Sequence, residues 1–348
     1  MWTGTPGEKV ESDRVSIYAR PMRLLFIFLA SCAAPVVFMG PASAPMVIRI
    51  TDERCVDGKR AAMTSAEAEQ VFVEFRADIE KQVPIEPLRT PRSLDDVLEI
   101  LRRDQIDLFA HGVAFAGKEQ GTRARVLEAQ LELAWGEALV MVAQLLERQF
   151  AEVAMQSLRQ RARAAIGQTT SFETKTMLEL SENLQKSRRA IDAMWVLAPV
   201  HIERGAQMAL KLLQDVPDDY HGYRVAADYF RLRADWKSFD KMVEEVAKRK
   251  PDSTGLQFLL GVAAVDRFGD RERGAEKLQK AIAGDPKFAK AQAMLLLLAD
   301  TPNASYEALV ALHKVNPSHQ LVVLAGPAIL AVYNAWKARG GEQGEGQL

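Results

Sequence analysis

Residues 255–288 read GLQFLLGVAAVDRFGDRERGAEKLQKAIAGDPKF, and they form two helix-length segments with small and large apolar residues at helical spacing. Gly269 and Asp270 mark a turn between the segments, and Pro286 ends the second because proline cannot continue a helix. The positions expected to pack the two helices together are Leu260, Gly261, Ala264, Gly274, Leu278 and Ala281. The stretch therefore predicts a pair of closely packed helices.

This unit recurs along the C-terminal half of the chain. Pro217, Pro251, Pro286 and Pro317 each follow a helical run, at intervals of 34, 35 and 31 residues. A fixed period of this length indicates stacked helical repeats. Residues 200–318 resemble tetratricopeptide repeats. The resemblance implies a superhelix whose concave face is lined by the first helix of each pair.

The two ends of the repeat region fit the pattern less well. Pro199 is expected to interrupt the first helix of the first repeat. After Pro317 the chain is apolar on almost every face, and Pro327 is predicted to start a final helix after Gly326. That helix either packs back on the repeats or meets another protein, and homo-oligomerisation through it is an open alternative. Its candidate contact residues are Ile329, Tyr333 and Trp336.

The N-terminal half is also predicted to be helical. Thr64 and Glu67 have capping-box spacing, and Ser93 precedes an amphipathic pattern from Leu94. Apolar residues at helical spacing continue from Thr122 to about Ile166, as one helix or as two with a break near Gly136, and another helix starts near Ser171. This half is a bundle or a set of degenerate repeats.

Alternating strand patterns are nearly absent after residue 60, so the predicted fold is all-α, a tetratricopeptide-like solenoid preceded by helices. The predicted organisation is a leader at 1–45, a helical region at 46–198, repeats with a terminal helix at 199–337 and a disordered tail at 338–348. MVIRI at 46–50 is an extended linker or an isolated strand. Lys plus Arg (45) nearly equals Asp plus Glu (46), without a basic field, so nucleic acid is not an expected partner.

Residues 22–40 read MRLLFIFLASCAAPVVFMG, a positive residue followed by an apolar run that ends in small residues, which is typical of a secretory signal. Leu29 to Cys32 resemble a bacterial lipobox, which implies lipidation of Cys32 and, with alanine at position 33, an outer-membrane location facing the periplasm. Cleavage after Ala42, an uncut anchor and an intracellular protein are the alternatives. Cys55 is the only other cysteine, so no disulfide framework is expected.

The stretch AHGVAFAGKEQG at 110–121 has Gly112, Gly117 and Lys118 at the spacing of a phosphate-binding loop. However, Glu119 replaces the hydroxyl residue that would hold magnesium, and no strand precedes the stretch. The favoured interpretation is that Gly112 and Gly117 end one helix and allow the turn into the long helix after Gly121. The five histidines have no metal-binding spacing and are expected to be surface or cap residues, so no metal, cofactor or catalytic residue is predicted.

A polar and aromatic cluster lies where the first clear repeat begins. Tyrosine and arginine contribute strongly to recognition surfaces, although packing between helices would explain the tyrosines equally well. The candidate partner-binding residues are Tyr220, Tyr223, Arg224, Tyr229, Arg231 and Arg233. The leading hypothesis is a non-enzymatic envelope lipoprotein that binds another protein or peptide as a scaffold or assembly factor. The alternatives are a periplasmic small-ligand-binding component of a transport system and a cytoplasmic adaptor.

Overall fold

A computed structural model describes residues 63–80, 90–165 and 171–340, and within these ranges the chain forms twelve helices and no strand. The helices are α1 Ser65–Glu80, α2 Leu94–Arg103, α3 Ile106–Ala116, α4 Thr122–Ala165, α5 Ser171–Asp215, α6 Tyr220–Leu232, α7 Trp236–Arg249, α8 Thr254–Phe268, α9 Arg271–Gly284, α10 Ala289–Leu298, α11 Pro302–Val315 and α12 Gln320–Ala338. The predicted all-α helical-repeat fold is confirmed.

The C-terminal half consists of three consecutive helix pairs, α6 with α7, α8 with α9 and α10 with α11. The four repeat prolines lie in the turns that directly follow α5, α7, α9 and α11, as predicted. Gly261 and Gly274 lie where α8 crosses α9. A Cβ atom on Gly274 would lie 3.2 Å from the carbonyl oxygen of Gly261 and would collide with Val265, so the crossing requires a residue without a side chain.

The turn inside a repeat uses left-handed backbone. Gly269 has a φ of 68° between α8 and α9, and Ala234 has a φ of 54° between α6 and α7. An aspartate follows each of them and caps the next helix: Asp235 accepts from the Ser238 N–H at 3.1 Å and Asp270 from the Arg273 N–H at 3.0 Å.

Two long antiparallel helices, α4 and α5, form the centre of the N-terminal half. A Cβ atom on Gly136 of α4 would lie 2.8 Å from the Ala198 carbonyl oxygen, and one on Gly205 of α5 would lie 2.9 Å from that of Ala129. Gly136 is therefore a close-packing position inside one continuous helix and not a break. Pro199 lies inside α5, so the expected interruption there is wrong, and position 199 falls within a helix.

The first two helices begin as the sequence predicts. Thr64 donates its backbone N–H to Glu67 Oε2 at 2.7 Å, and the Glu67 N–H donates to Thr64 Oγ1 at 3.3 Å. Ser93 and Asp96 form the equivalent capping box of α2. Val71, Phe72 and Phe75 of α1 pack against the main core.

Helices α2 and α4 lie against the first helices of the repeats. Glu137 of α4 contacts α6 and α10, and Met141 of α4 contacts Gln320 of α12, so one straight helix crosses several repeats on the same side. We call the repeat surface formed by α6, α8, α10 and the start of α12 the inner face. This is the face that the tetratricopeptide resemblance makes concave. In this chain its own N-terminal helices cover it.

The last helix starts earlier than predicted. His319 caps α12, which begins at Gln320, and Pro327 lies inside the helix, so the prediction that Pro327 starts it is wrong. Tyr333 stacks on Tyr306 of α11, with ring centroids 3.9 Å apart. Within the described residues α12 is the one helix long and apolar enough to cross a membrane, and 22% of its most apolar window is buried.

Several expectations concern residues outside the described ranges. These are the leader with Cys32 and Cys55, the segment 46–50 and the tail from residue 341 onwards. They stay predictions.

Candidate functional site

A buried cluster of charges joins α4 to the inner face. Arg231 of α6 donates to Glu137 of α4 at 2.6 Å, to Asp228 at 2.9 Å and to Asp266 of α8 at 3.4 Å. Lys290 of α10 donates to the other oxygen of Glu137. The Arg231 side chain is 1% exposed and that of Glu137 is 4% exposed. The cluster therefore ties three repeats to one N-terminal helix.

Asp228, Arg231 and Lys290 of the cluster have pKa values shifted in the direction that keeps them charged. Burial alone would raise the pKa of Asp228, but Lys290 and Arg231 outweigh that effect and lower it to about 2. Burial alone would lower the pKa of Lys290, but the carboxylates of Asp228 and Glu137 raise it. Because these groups stabilise one another in their charged forms, the cluster suits a structural role better than proton transfer.

Next to this cluster lies a cavity of about 270 Å³ that is partly open to solvent, which we call the inner pocket. Helices α2 and α4 form one wall, and α6, α8 and α10 form the other. Its apolar lining residues are Leu98, Leu101, Leu133, Ala134, Val225, Phe258, Leu259 and Phe288. Its polar lining residues are Arg102, Asp104, Gln130, Tyr220, His221, Arg224, Asp228, Ser253, Thr254, Asp285 and Lys290.

The three acidic residues that line the inner pocket all have partners. Asp285 pairs with Arg102 at 3.0 Å, Asp228 with Lys290 at 3.5 Å and Asp104 with His319 at 3.1 Å. The first two pairs join two parts of the pocket wall, and the third joins the wall to the start of α12. They leave little free negative charge facing the cavity.

Arg224 is different from the other cations of the inner pocket. Among the described residues it has no hydrogen bond and no ion pair. Burial lowers the pKa of its guanidinium, which Tyr220, Asp228 and Asp219 only partly counteract. Gly255 of α8 gives it room, because a Cβ atom there would collide with the Arg224 side chain. Arg224 is thus a half-buried cation of the pocket wall that has no ion-pair partner in the described structure.

Two further side chains of α6 lie beside Arg224. The rings of Tyr220 and His221 are 3.9 Å apart. Burial and the nearby Arg224 lower the pKa of His221, and its Nδ1 atom is buried without a hydrogen-bond partner in the described structure. His221 is therefore neutral at pH 7, which leaves Arg224 as the unpaired charge of this wall.

The structure separates the six candidate partner residues into two groups. Tyr220 and Arg224 line the inner pocket. The other four make contacts within the chain: Tyr223 lies under Arg249 at 4.4 Å, Tyr229 and Arg233 reach Glu203, and Arg231 belongs to the buried cluster. Of the last-helix candidates, Ile329 packs partly against the core, whereas Tyr333 and Trp336 lie near each other further along α12.

Two expectations about single residues are wrong. His201 is buried rather than a surface or cap residue: its Nδ1 lies 2.6 Å from Glu132, and its ring stacks on Trp135 at 4.0 Å. Gly112 lies inside α3 instead of ending it, although Gly117 does cap that helix and Gly121 turns with a φ of 112°. His319, by contrast, is a helix cap as predicted.

Sequence reasoning missed the residues that build the pocket wall. Glu137 and Lys290 stand in ordinary helical patterns, and Asp104 directly follows α2. Glu137 contacts Arg231 at a separation of 94 positions and Lys290 at 153, and Asp104 contacts His319 at 215. The described residues also contain no group of three His, Cys, Asp or Glu that could hold a metal ion.

Comparison with protein-family models and with curated proteins found no match to this chain. The geometry of the inner pocket is therefore the basis on which a function can be argued.

Proposed function

We propose that this protein is a non-enzymatic binding protein that holds a small molecule in the inner pocket. The observation that supports the proposal is the cavity of about 270 Å³ between the inner face and the chain's own N-terminal helices. It combines an apolar lining with a few convergent polar groups, which is the usual character of small-molecule sites. Its size is close to the lower end of the usual range of about 300–1,000 Å³.

The covered inner face favours a small ligand over a partner peptide. In the tetratricopeptide resemblance this face receives the partner. Here α2 and α4 cover it, and the Glu137–Arg231 and Asp104–His319 contacts hold them there. A peptide would have to replace contacts whose loss leaves charges buried and unpaired, at a cost of about 3–5 kcal/mol for each broken pair. The space left between the two walls is the inner pocket.

The location we propose is the cell envelope. A lipid on Cys32 would hold the protein at the outer membrane, with the pocket in the periplasm, where it would serve a solute-uptake system. The intact mass of the mature protein from its native host tests this location. A chain that begins at acylated Cys32 supports it, and a chain that keeps Met1 or Met22 contradicts the lipid anchor and leaves a cytoplasmic protein or one held by an uncut anchor.

Native mass spectrometry of the gently purified full chain tests the binding function. We expect a co-purified small molecule that organic solvent releases. Ala134→Phe should remove it, because Ala134 lines the inner pocket and the larger ring would fill the cavity. Ala283→Phe, on the exposed surface of α9, is the matched control and should keep it. A molecule that both variants retain would place the binding elsewhere.

A protein-interaction scaffold is the second candidate function, and the character of α12 favours it. This helix is apolar along its length, yet only 22% of its most apolar window is buried, and its outer half carries Tyr333 and Trp336. Both aromatic side chains are half-buried, and tyrosine and tryptophan are frequent in interfaces. Trp336→Ala, examined by sedimentation and by cross-linking in native membranes, should reduce a self-association or a specific cross-linked partner. No change in either experiment would remove this candidate.

A further inference from the structure

We infer that the inner pocket binds a small organic acid, with the single carboxylate of the ligand on Arg224 and Tyr220 and its apolar body against the facing wall. The inference rests on the proposed function, because it names the chemical class of the ligand for the same pocket.

Arg224 and Tyr220 carry the inference. They are four residues apart on α6, so they share one face of the helix, and both line the pocket. Within the described structure neither makes a hydrogen bond or an ion pair. A guanidinium presents parallel N–H donors that match a carboxylate, and a phenol adds one more donor. Both groups are thus donors that lack an acceptor.

The charges around the pocket limit the ligand to a single negative charge. The lining contains three basic residues, Arg102, Arg224 and Lys290, and three acidic ones, Asp104, Asp228 and Asp285. Arg102 and Lys290 are already used by acidic partners, and His221 is neutral. A phosphate, with up to two charges, would meet only one cation that has no acidic partner. A monocarboxylate carries one negative charge, and Arg224 alone can balance it.

The remaining wall sets the character of the rest of the ligand. Leu98 and Leu101 of α2 face the cavity together with Phe258 and Phe288 from the repeats. These side chains offer no hydrogen bonds, so they favour an aliphatic or aromatic body over a sugar or a peptide. The N-terminal helices and the repeats therefore each supply part of the binding surface.

Isothermal titration of the full chain with matched acids and amides tests the inference. The probes are hexanoate and benzoate, hexanamide and benzamide, and inorganic phosphate. We expect an acid to bind at least about tenfold more tightly than its amide, since hydrogen bonds to charged groups are the stronger ones. Arg224→Gln should weaken the acid about 10- to 100-fold and leave the amide unchanged, and Tyr220→Phe should weaken the acid several-fold.

Stability of the ligand-free protein distinguishes a binding arginine from a structural one. Because Arg224 makes no ion pair or hydrogen bond in the described structure, Arg224→Gln should not lower the melting temperature of the ligand-free chain, although it weakens acid binding. A structural arginine would give a lower melting temperature. Arg267→Gln, which removes an exposed arginine paired with Asp240, is the matched control and should change neither affinity nor melting temperature appreciably.

The possible failures are separable. Equal binding of acids and amides, together with an unaffected Arg224→Gln variant, overturns the organic-acid inference and leaves the pocket as a binding site for neutral molecules. Tighter binding of phosphate than of either acid also overturns it. Absence of binding by every probe, with a ligand-free native preparation, overturns the proposed function as well.

Discussion

Arg231 and Arg267 lie in the first helices of two successive repeats, and the same residue type has a different role in each. Arg231 faces inward, is 1% exposed and connects Glu137, Asp228 and Asp266. Arg267 is 33% exposed and pairs with Asp240 of the neighbouring outer helix at 3.0 Å. The difference shows that the buried charges with several partners lie on the inner face. On the outer side the ion pairs are local and exposed.

The largest expected effect comes from removing the inward arginine. Arg231→Ala leaves Glu137, Asp228 and Asp266 with too few partners in a buried site, so we expect a loss of about 3–5 kcal/mol of unfolding free energy. Arg267→Ala should lose no more than about 1 kcal/mol. Urea unfolding followed by circular dichroism measures both. Equal losses would mean that the inner and outer charges do not differ.

Low pH should destabilise the protein through the same buried charge cluster. The folded pKa of Asp228, about 2, lies below its usual value of 3.8, so its contribution is complete above pH 3.8 and disappears as the pH falls through about 2. A difference of this size corresponds to about 2 kcal/mol. Stability measured from pH 5 to pH 2 should fall less steeply in Asp228→Asn than in the parent chain. An equal fall in stability with pH in both proteins would contradict the lowered pKa of Asp228.

Two glycines of the helices should differ in how much stability is lost when each is replaced by alanine, by less than the two arginines differ. Gly136→Ala places a methyl group 2.8 Å from the Ala198 carbonyl oxygen and against Ile202, so we expect a loss of about 1–3 kcal/mol. Gly326→Ala is the control, because its nearest neighbour would be Leu309 at an ordinary 3.5 Å. Alanine favours a helix more than glycine does, by about 1 kcal/mol, so this variant should be neutral or slightly more stable. Thermal melts compare the two.

The smallest effect is expected in the turns between paired helices. Ala234 has a left-handed φ of 54°, a conformation that costs a residue with a side chain about 1–2 kcal/mol. Ala234→Gly should therefore change stability by less than about 1 kcal/mol, in the favourable direction, because glycine also has more freedom to lose on folding. Gly269→Ala should lose about 1 kcal/mol at the equivalent turn. A stabilising Gly269→Ala would show that the two turns are not equivalent.

The sequence predicted what depends on local spacing. The four repeat prolines, the small residues at Gly261 and Gly274 and the caps at Ser93 and Thr64 each act within about one turn or one repeat, and the structure has them where they were expected. The interruption at Pro199 was predicted wrongly. A proline removes one helical hydrogen bond, and the packing of α5 between α1 and α4 is extensive enough to tolerate it.

The inner pocket was only partly predictable. Tyr220 and Arg224 attracted attention because of their residue types, but nothing near them in the sequence indicates α2 or α4 as the opposite wall. The contact between Glu137 and Lys290 joins residues 153 positions apart, and neither residue disturbs the helical pattern in which it stands. Such pairings leave no local signal, so only the folded chain reveals them.

The covering of the inner face also determines how the chain gains and loses its structure. In an open repeat array each unit touches only its neighbours, so the ends can unravel independently. Here Asp104 and His319, 215 positions apart, are in contact, and α4 reaches across several repeats. The array is thereby closed on itself, and the last repeats cannot detach without uncovering the first helices. The described helices should unfold in one cooperative step, and their refolding should be slow for an all-helical protein because its decisive contacts are distant in sequence.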